Sequence, residues 1–243
     1  MESSRVALVT GAARRVGRAI ALKLAGGGFD VAITYRGSAD EAGEVVELVK
    51  RSGQKGSAIQ ADFSDPQRAA EQVEKAFSAQ FNRLDALVNN ASMYEPSSLQ
   101  GASEKQMHDL FAVHFQTPFL LCRRFEKLLR ASRGHIVNMI DLLAERPWPE
   151  YLVYCASKAA LGSLTRGLAR ALAPEVTVNG IAPGVVEWPE GYPESEREKY
   201  LKRVPLGRPG TPEDVAKLVE FLVMDGSYVT GQIIPLDGGR SIT

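Results

Sequence analysis

The feature that most restricts the fold of this chain is a short apolar segment near its start, followed by a turn with two glycines and an amphipathic segment. Residues 5–9 predict a buried strand of a parallel sheet, and residues 18–24 predict a helix. The turn between them reads TGAARRVG. Gly11 lets the backbone turn tightly there, and Gly17 allows close approach to a pyrophosphate at the helix N-terminus. This arrangement predicts a dinucleotide-binding unit.

The rest of the chain continues the alternation of strand and helix. Further strands are predicted at residues 31–35, 57–61, 84–88, 135–140, 176–181 and 231–236, and further helices at 39–51, 66–81, 103–130, 151–172 and from 211 onward. The 243 residues contain no internal repeat, low-complexity tract or linker. The sequence therefore predicts one domain over residues 1–243, of the α/β class, with a Rossmann-type doubly wound parallel sheet of seven strands flanked by helices.

Composition excludes several classes of function. Lys plus Arg and Asp plus Glu each total 29, so the formal net charge is zero and a basic footprint for nucleic acid is absent. The two cysteines have no CxxC or zinc spacing, and the three histidines are too scattered to predict a metal site. No apolar run reaches the length of a membrane span. We expect a cytoplasmic protein that binds a small-molecule substrate, without nucleic acid, membrane or metal.

A candidate general acid and a neighbouring cation lie in the predicted helix at residues 151–172. Tyr154 and Lys158 are four residues apart, so their side chains share one face of a helix. A nearby cation lowers the pKa of a tyrosine, which would make Tyr154 a usable general acid near neutral pH. Asp141 follows the fifth predicted strand, where its carboxyl group could relay protons. Alternatively, the pair could lie on the surface, and Asp141 could simply cap the loop after its strand.

The ends of the predicted strands carry further candidate residues. Gly11, Arg36, Asp62, Asn90 and Asp141 each follow a strand, so a parallel sheet would bring them to one edge, where ligands of such sheets bind. An NAD site would carry an acid after the second strand, whereas this chain has Arg36 and then Ser38. Both side chains favour a 2′-phosphate, so the predicted cofactor is NADPH.

These features together resemble the short-chain dehydrogenase/reductase family over essentially the whole chain. The resemblance implies that Tyr154 donates a proton to the substrate, while Lys158 lowers the pKa of Tyr154 and binds the nicotinamide ribose. It also implies that Asp62 binds the adenine amino group. The residues expected to bind the cofactor are Gly11, Arg15, Val16, Gly17, Arg36, Ser38, Asp62, Phe63, Asn90, Ala91, Tyr154, Lys158, Pro183 and Gly184.

Departures from the usual family pattern point to a subgroup. Asp141 stands where the family usually has Ser, Arg15 where it has Gly, and Ser92 where it has Gly. In these positions the chain resembles the pteridine reductases and the related dihydromonapterin reductases. That resemblance implies NADPH-dependent reduction of a pterin-type C=N bond, with the ring held by Ser92 and Tyr94 and contacts from Asp141 and Trp188. Tyr94 could instead be exposed in a mobile loop.

Two other functions remain open at the level of the sequence. The chain could reduce a carbonyl group, as 3-oxoacyl-carrier-protein reductases do, although Asp141 and Ser92 disfavour this. It could also be a regulator that binds NADPH and has lost catalysis, although the intact pair of Tyr154 and Lys158 argues against that reading.

Three further expectations come from the resemblance. His114 takes the position of a catalytic-relay Asn and would either act as a hydrogen-bonding relay or pack in the core. Residues 186–203, which include Trp188, are expected to form a substrate lid that excludes water. The family pairs the catalytic helix and the preceding helix across subunits, so we expect a homotetramer.

Overall fold

The fold, described here from a computed structural model for residues 4–188 and 191–243, is built on one parallel sheet. Over these residues the sheet has seven strands in the order β3-β2-β1-β4-β5-β6-β7, and every neighbouring pair is parallel. The strands are β1 Arg5–Val9, β2 Phe29–Tyr35, β3 Gly56–Gln60, β4 Ala86–Asn89, β5 His135–Met139, β6 Thr177–Pro183 and β7 Ile233–Leu236. The predicted fold class is confirmed.

Helices cover both faces of the sheet. They are α1 Arg15–Gly26, α2 Ala39–Arg51, α3 Pro66–Ser78, α4 Glu104–Phe111, α5 Thr117–Ser132, α6 Leu152–Leu172, α7 Glu194–Leu201 and α8 Pro212–Met224. One apolar core lies under α1, α2 and α8, and a second lies under α3, α5 and α6. In the second core, the rings of Phe77 and Phe125 meet edge to face at 5.0 Å. The sheet is thus buried on both sides, as its apolar strands require.

Two predicted elements differ from the structure. The helix predicted at residues 103–130 contains one π-helical turn, Ala112–Gln116, and Pro118 lies directly after that turn, in the first turn of α5. The expected lid at residues 186–203 contains the helix α7, so it is more regular than its prolines and glycine suggested. Two residues of that stretch, 189 and 190, lie outside the described part of the chain.

The starts of α3 and α8 agree with local capping signals in the sequence. Thr211 and Asp214 form a reciprocal capping box at the start of α8, with Pro212 in the first turn. Asp65 accepts a hydrogen bond from the backbone of Arg68 at the start of α3.

The strand order reverses between β1 and β4, and in such sheets a crevice opens there at the carboxyl ends of the strands.

Candidate active site

A groove of about 980 Å³ runs along the carboxyl ends of the strands. All of the residues proposed from sequence to bind cofactor or substrate line it, so the structure brings together what the sequence spreads over more than 170 positions. They are Gly11, Arg15, Val16, Gly17, Arg36, Ser38, Asp62, Phe63, Asn90, Ala91, Ser92, Tyr94, Asp141, Tyr154, Lys158, Pro183, Gly184 and Trp188.

The glycines at the start of α1 are required by close packing. Gly11 has a φ of +63°, and a Cβ atom there would lie 2.8 Å from the Cα atom of Ala91. A Cβ atom on Gly17 would lie 2.5 Å from the carbonyl oxygen of Gly11 and 2.6 Å from the side chain of Asn90. Gly17 therefore lets the helix pack closely against the turn, and its role beside a pyrophosphate stays a prediction. The cradle that both glycines leave fits a dinucleotide phosphate.

Thr10 fixes this turn to the end of β4, a role that sequence reasoning missed. Its hydroxyl accepts hydrogen bonds from the backbone N–H groups of Asn90, at 2.9 Å, and Ala91, at 3.0 Å. The Asn90 amide in turn donates to the carbonyl oxygens of Thr10, at 2.8 Å, and Gly11, at 3.1 Å. In this structure Asn90 therefore shapes the cofactor cradle by holding its backbone. A buried threonine just before a glycine turn was the available signal.

Arginines line the end of the groove where the nucleotide is expected to bind, called the nucleotide end below. Arg14 forms an ion pair with Glu41 at 3.4 Å, and Arg15 forms one with Glu187, whose backbone oxygen it also contacts. Arg36 has no ion pair among the described residues. Arg15 has a φ of 53°, a left-handed conformation that favours glycine and costs another residue about 1 kcal/mol. The usual family glycine therefore suits this backbone, whereas Arg15 adds a cation there.

Asp62 lies beside the expected adenine end. Its Oδ1 atom accepts hydrogen bonds from the backbone N–H of Ser64 at 3.0 Å and from the Ser64 hydroxyl at 2.9 Å. These bonds, the backbone one first, lower the pKa of Asp62. Phe63 is buried beside it, and Ser38 starts α2 without a hydrogen bond from its side chain to the helix. An ionised Asp62 can accept from an exocyclic amine.

Asp141, Tyr154 and Lys158 meet at the other end of the groove. The Tyr154 hydroxyl donates to Asp141 Oδ2 at 2.7 Å, and the backbone N–H of Leu143 donates to Asp141 Oδ1 at 2.8 Å. Asp141 thus caps the loop through Oδ1, as one alternative expected, and contacts Tyr154 through Oδ2, as the other expected. Lys158 Nζ donates to the carbonyl oxygen of Met139 at 2.8 Å and lies 5.8 Å from the centre of the Tyr154 ring.

The electrostatics of these three groups correct one expectation. Burial, followed by the charge of Asp141 and the hydrogen bond to it, raises the pKa of Tyr154, whereas a lowering by Lys158 was predicted. Burial also raises the pKa of Asp141 and lowers the pKa of Lys158 to about 8. Tyr154 and Lys158 are only 3% and 2% exposed, so desolvation outweighs the attraction of a cation held on Met139.

His114 connects the loop after β4 to α6, the helix that carries Tyr154 and Lys158. Its Nε2 atom lies 2.9 Å from the Ser92 hydroxyl and 3.1 Å from the backbone N of Met93, and its Nδ1 atom lies 2.8 Å from the Ser157 hydroxyl. Because Ser157 already donates to the Tyr154 carbonyl oxygen, His114 must donate from Nδ1 and accept at Nε2. Burial, and then the charge of Lys158, lower the pKa of His114. The ring is therefore neutral, buried and hydrogen-bonded at both nitrogens, as the packing alternative expects, while the relay alternative stays a prediction.

Aromatic rings enclose the substrate end. Tyr94 stacks on Tyr151 with ring centres 4.6 Å apart, and it meets Tyr154 edge to face at 5.0 Å. Trp188 stacks on Tyr192 at 5.1 Å. Tyr94 is 45% exposed, yet it is packed and does not project alone from a loop. Tyr151 was missed because a tyrosine three residues before Tyr154 resembles ordinary helix packing.

Among residues 4–188 and 191–243, no helix is long and apolar enough to cross a membrane. The same residues contain no group of His, Cys, Asp and Glu side chains that could hold a metal ion.

A doubly wound sheet with a glycine cradle and a buried tyrosine-lysine pair defines a nicotinamide-dependent oxidoreductase. Residues 11–241 match the family model described as enoyl-(acyl carrier protein) reductase. The chain is 36% identical over 244 residues to a 3-oxoacyl-[acyl-carrier-protein] reductase of Staphylococcus aureus, covering 98% of this chain and 99% of that protein. The chain belongs to the short-chain dehydrogenase/reductase family.

The names of other relatives refer to different small molecules. An L-2,3-butanediol dehydrogenase of Corynebacterium glutamicum is 34% identical over 256 residues, covering 97% of this chain and 98% of that protein. The crystal structure of an acetoin dehydrogenase from Enterobacter cloacae matches with a TM-score of 0.91 and 32% identity, covering 100% of this chain and 97% of that chain. The names of these relatives agree better with carbonyl reduction, the alternative above, than with the pterin interpretation.

Proposed function

We propose that this oxidoreductase uses NADPH to reduce a C=N bond in a flat nitrogen heterocycle of the pterin type. The observation that carries the proposal is the 2.7 Å hydrogen bond from Tyr154 to Asp141. It gives the site two adjacent proton-holding groups, where a hydroxyl in place of Asp141 would mainly orient a carbonyl oxygen.

The proton chemistry follows from the environment of these groups. Reducing a C=N bond adds a hydride to carbon and a proton to nitrogen, and bound NADPH would supply the hydride. Burial raises the pKa of Asp141, so its carboxyl group holds a proton at higher pH than an exposed aspartate does. Asp141 can then protonate the ring nitrogen and recover a proton from the Tyr154 hydroxyl that it already contacts, while the phenol takes a proton from water, so that no phenolate remains in the buried site.

The cofactor proposal rests on the nucleotide end of the groove. Arg36 follows β2, has no ion pair among the described residues, and lines the groove together with Ser38. An acid that would repel a 2′-phosphate is absent from residues 35–38. Gly11 and Gly17 leave room for the pyrophosphate, and Lys158 would hold the nicotinamide ribose. These features favour NADPH over NADH.

The substrate would lie among the aromatic rings. Tyr94 and Trp188 line the groove near Asp141, and an electron-poor ring stacks favourably on such faces. Ser92 would contact the ring through its oxygen, since its hydroxyl hydrogen points to His114. Residues 186–203, including α7, would cover the ring as a lid and exclude water.

The proposal is tested by ranking substrates. Purified protein with NADPH should reduce dihydrobiopterin or dihydromonapterin faster than acetoacetyl thioesters, followed by NADPH absorbance. Asp141→Ser, which restores the usual family residue, should lose the pterin activity and keep or gain the thioester activity. A wild-type preference for the thioesters would reject the C=N proposal.

Carbonyl reduction is the second candidate, and the names of the relatives favour it. Tyr154 could protonate a carbonyl oxygen directly, with Asp141 in its protonated form donating a second hydrogen bond. This candidate predicts that Asp141→Ser improves turnover, since the hydroxyl cannot carry a repelling negative charge.

We also propose a cytoplasmic homotetramer. Phe119 on α5 and Leu152 at the start of α6 are 40% and 39% exposed, which is the kind of surface that a partner subunit covers. Light scattering after size-exclusion chromatography measures the assembly, and a monomeric mass at working concentration would contradict this part of the proposal.

A further inference from the structure

Arg240 is a cation in the groove that the proposed chemistry does not use. It lies just after β7, and its side chain lines the same groove as Asp141 and Tyr154. Its Nε atom is buried and has no hydrogen-bond partner among the described residues. Among the described residues the guanidinium forms no ion pair, and its central carbon lies over the ring of Tyr200, 5.6 Å from the ring centre.

The acids and cations around Arg240 are already engaged. Asp237, three residues earlier, accepts backbone N–H bonds from Gly239 at 2.9 Å and from Ser241 at 2.6 Å. Arg146, which also lines the groove, donates to the main-chain oxygen of Thr243 at 2.9 Å. Arg240 therefore differs from Arg146. Its guanidinium packs against a ring, and it donates to no acceptor in the described residues.

The contacts of Tyr200 show where Arg240 lies in the groove relative to Asp141 and Tyr154. The Tyr200 hydroxyl accepts the backbone N–H of Val185 at 3.3 Å, next to Gly184 of the proposed nicotinamide contact. Trp188 meets the Tyr200 ring edge to face at 5.5 Å. Burial raises the pKa of Tyr200, Arg240 opposes that rise, and the charge of Asp141 adds to it. Arg240 thus lies on the substrate side, whereas Arg36 lies at the nucleotide end.

We propose that Arg240 selects substrates that carry an anionic substituent, a carboxylate or a phosphate, away from the bond that is reduced. A guanidinium offers paired donors that match both groups, and partial burial strengthens such a contact relative to water. The position of the anion follows from the geometry, because the reducible bond must lie near Asp141 and Tyr154. Only the identity of the ring rests on the proposed function above.

A purely structural role makes a different prediction. If Arg240 only packs on Tyr200, its removal should lower stability and affect neutral and anionic substrates equally. If it binds an anion, its removal should raise Kd and KM for the anionic substrate alone and leave kcat nearly unchanged. The comparison of matched substrates separates the two roles.

The experiment compares Arg240→Gln, Arg240→Lys and wild type with pairs of ligands that differ in charge. The pterin pairs are dihydroneopterin with its monophosphate, and dihydrobiopterin with dihydrofolate, which carries carboxylates. The carbonyl pair is acetoacetyl-N-acetylcysteamine with acetoacetyl-coenzyme A. Calorimetry on the NADP⁺-loaded protein gives Kd, and NADPH absorbance gives kcat and KM. Arg51→Gln, the same change at an exposed position at the end of α2, is the matched control.

Arg240→Gln should weaken binding of the anionic member by about 10- to 100-fold and change the neutral member by less than about threefold. Arg240→Lys should recover part of the loss, and Arg51→Gln should resemble wild type. Equal losses for both members, or no loss, would overturn the proposal. If Arg240→Gln does not fold, the comparison of Arg240→Lys with wild type decides, since loss of the planar fork should still weaken only the anionic member.

The outcomes also separate this inference from the proposed function. If the pterin pairs neither bind nor react but the carbonyl pair shows the charge preference, the C=N proposal fails and the role of Arg240 stands. If pterins react but Arg240→Gln does not selectively weaken the anionic member of each pair, the C=N proposal stands and the role of Arg240 fails.

Discussion

The two ends of the groove hold their charges in opposite ways. At the nucleotide end, the Arg15 side chain is 60% exposed and its partner Glu187 is 34% exposed. At the catalytic end, Tyr154 and Lys158 are almost completely buried, and the Asp141 carboxyl group is desolvated with them. Each exposed charge contributes little interaction energy, and salt screens it. The interaction energy of a buried charge depends strongly on its neighbouring groups, and salt screens it little.

This difference implies different responses to substitution. A change at the nucleotide end should shift cofactor affinity in modest steps that high salt reduces. A change among Asp141, Tyr154 and Lys158 should have a large effect, because each group sets the protonation of the next. The four predictions below test that contrast in order of expected size.

Tyr154→Phe should have the largest effect. Losing the phenolic proton should reduce turnover by about 10²- to 10⁴-fold, the usual contribution of a general acid. Affinity for NADPH, measured by fluorescence titration, should stay within about twofold, because the phosphate contacts lie at the other end. Near-normal turnover would mean that Tyr154 is not the acid, and an equal loss of NADPH affinity would mean that the two ends are coupled.

Asp141→Asn should lower C=N reduction by about 100-fold and raise stability. The pKa of Asp141 is raised in the folded protein, so wild type loses stability as pH rises from the unfolded value of 3.8 through the folded pKa. Asn does not titrate, so the stability difference should grow over that range and then become constant. Urea unfolding at several pH values measures it, and a difference independent of pH would contradict the buried-acid account.

Arg36→Asp should shift the preference from NADPH toward NADH. Removing a cation and adding an anion next to a 2′-phosphate should cost about 10- to 100-fold in kcat/KM for NADPH. The NADPH preference of wild type should also weaken as salt increases, since Arg36 is exposed. Comparing both cofactors at low and high salt checks this, and an unchanged ratio in the variant would place phosphate recognition on other residues.

Glu187→Gln should have the smallest effect, in the favourable direction. Arg15 pairs with Glu187 in this structure, so removing the carboxylate frees Arg15 for a phosphate. The pair is largely exposed and should contribute well under about 1 kcal/mol, so the Kd for NADPH should fall by no more than about fivefold. Glu41→Gln, which frees Arg14, is a matched control at the same end. A weaker Kd in Glu187→Gln would show that the pair supports the binding conformation.

The sequence predicted the fold and the position of the site because both depend on periodicity. Alternating apolar and amphipathic runs predicted the parallel sheet, and the edge where Gly11, Asp62 and Asp141 meet follows from that topology alone. The direction of the pKa shift at Tyr154 could not be predicted, because helical spacing places Lys158 nearby but does not reveal burial or its bond to Met139.

Other features depend on contacts between distant segments. Arg15 with Glu187, and His114 with Ser157, join residues 172 and 43 positions apart, and local patterns carry no signal for such pairs. Arg240 was also invisible, since an arginine after a Gly-Gly turn resembles any solvated charge. Helix α7 was missed because the apolar periodicity that marks packed helices is absent from it, and none of its described residues is buried.

The neutral ring of His114 has a consequence for experiments that vary pH. Its hydrogen bonds connect the loop of Ser92 and Met93 to the helix that carries Tyr154, and none of them requires a charged imidazole. That scaffold should keep its shape while Lys158 loses its proton near pH 8. A change in rate with alkalinity then reports on the protons of the reacting groups, undisturbed by loosening of the walls around them.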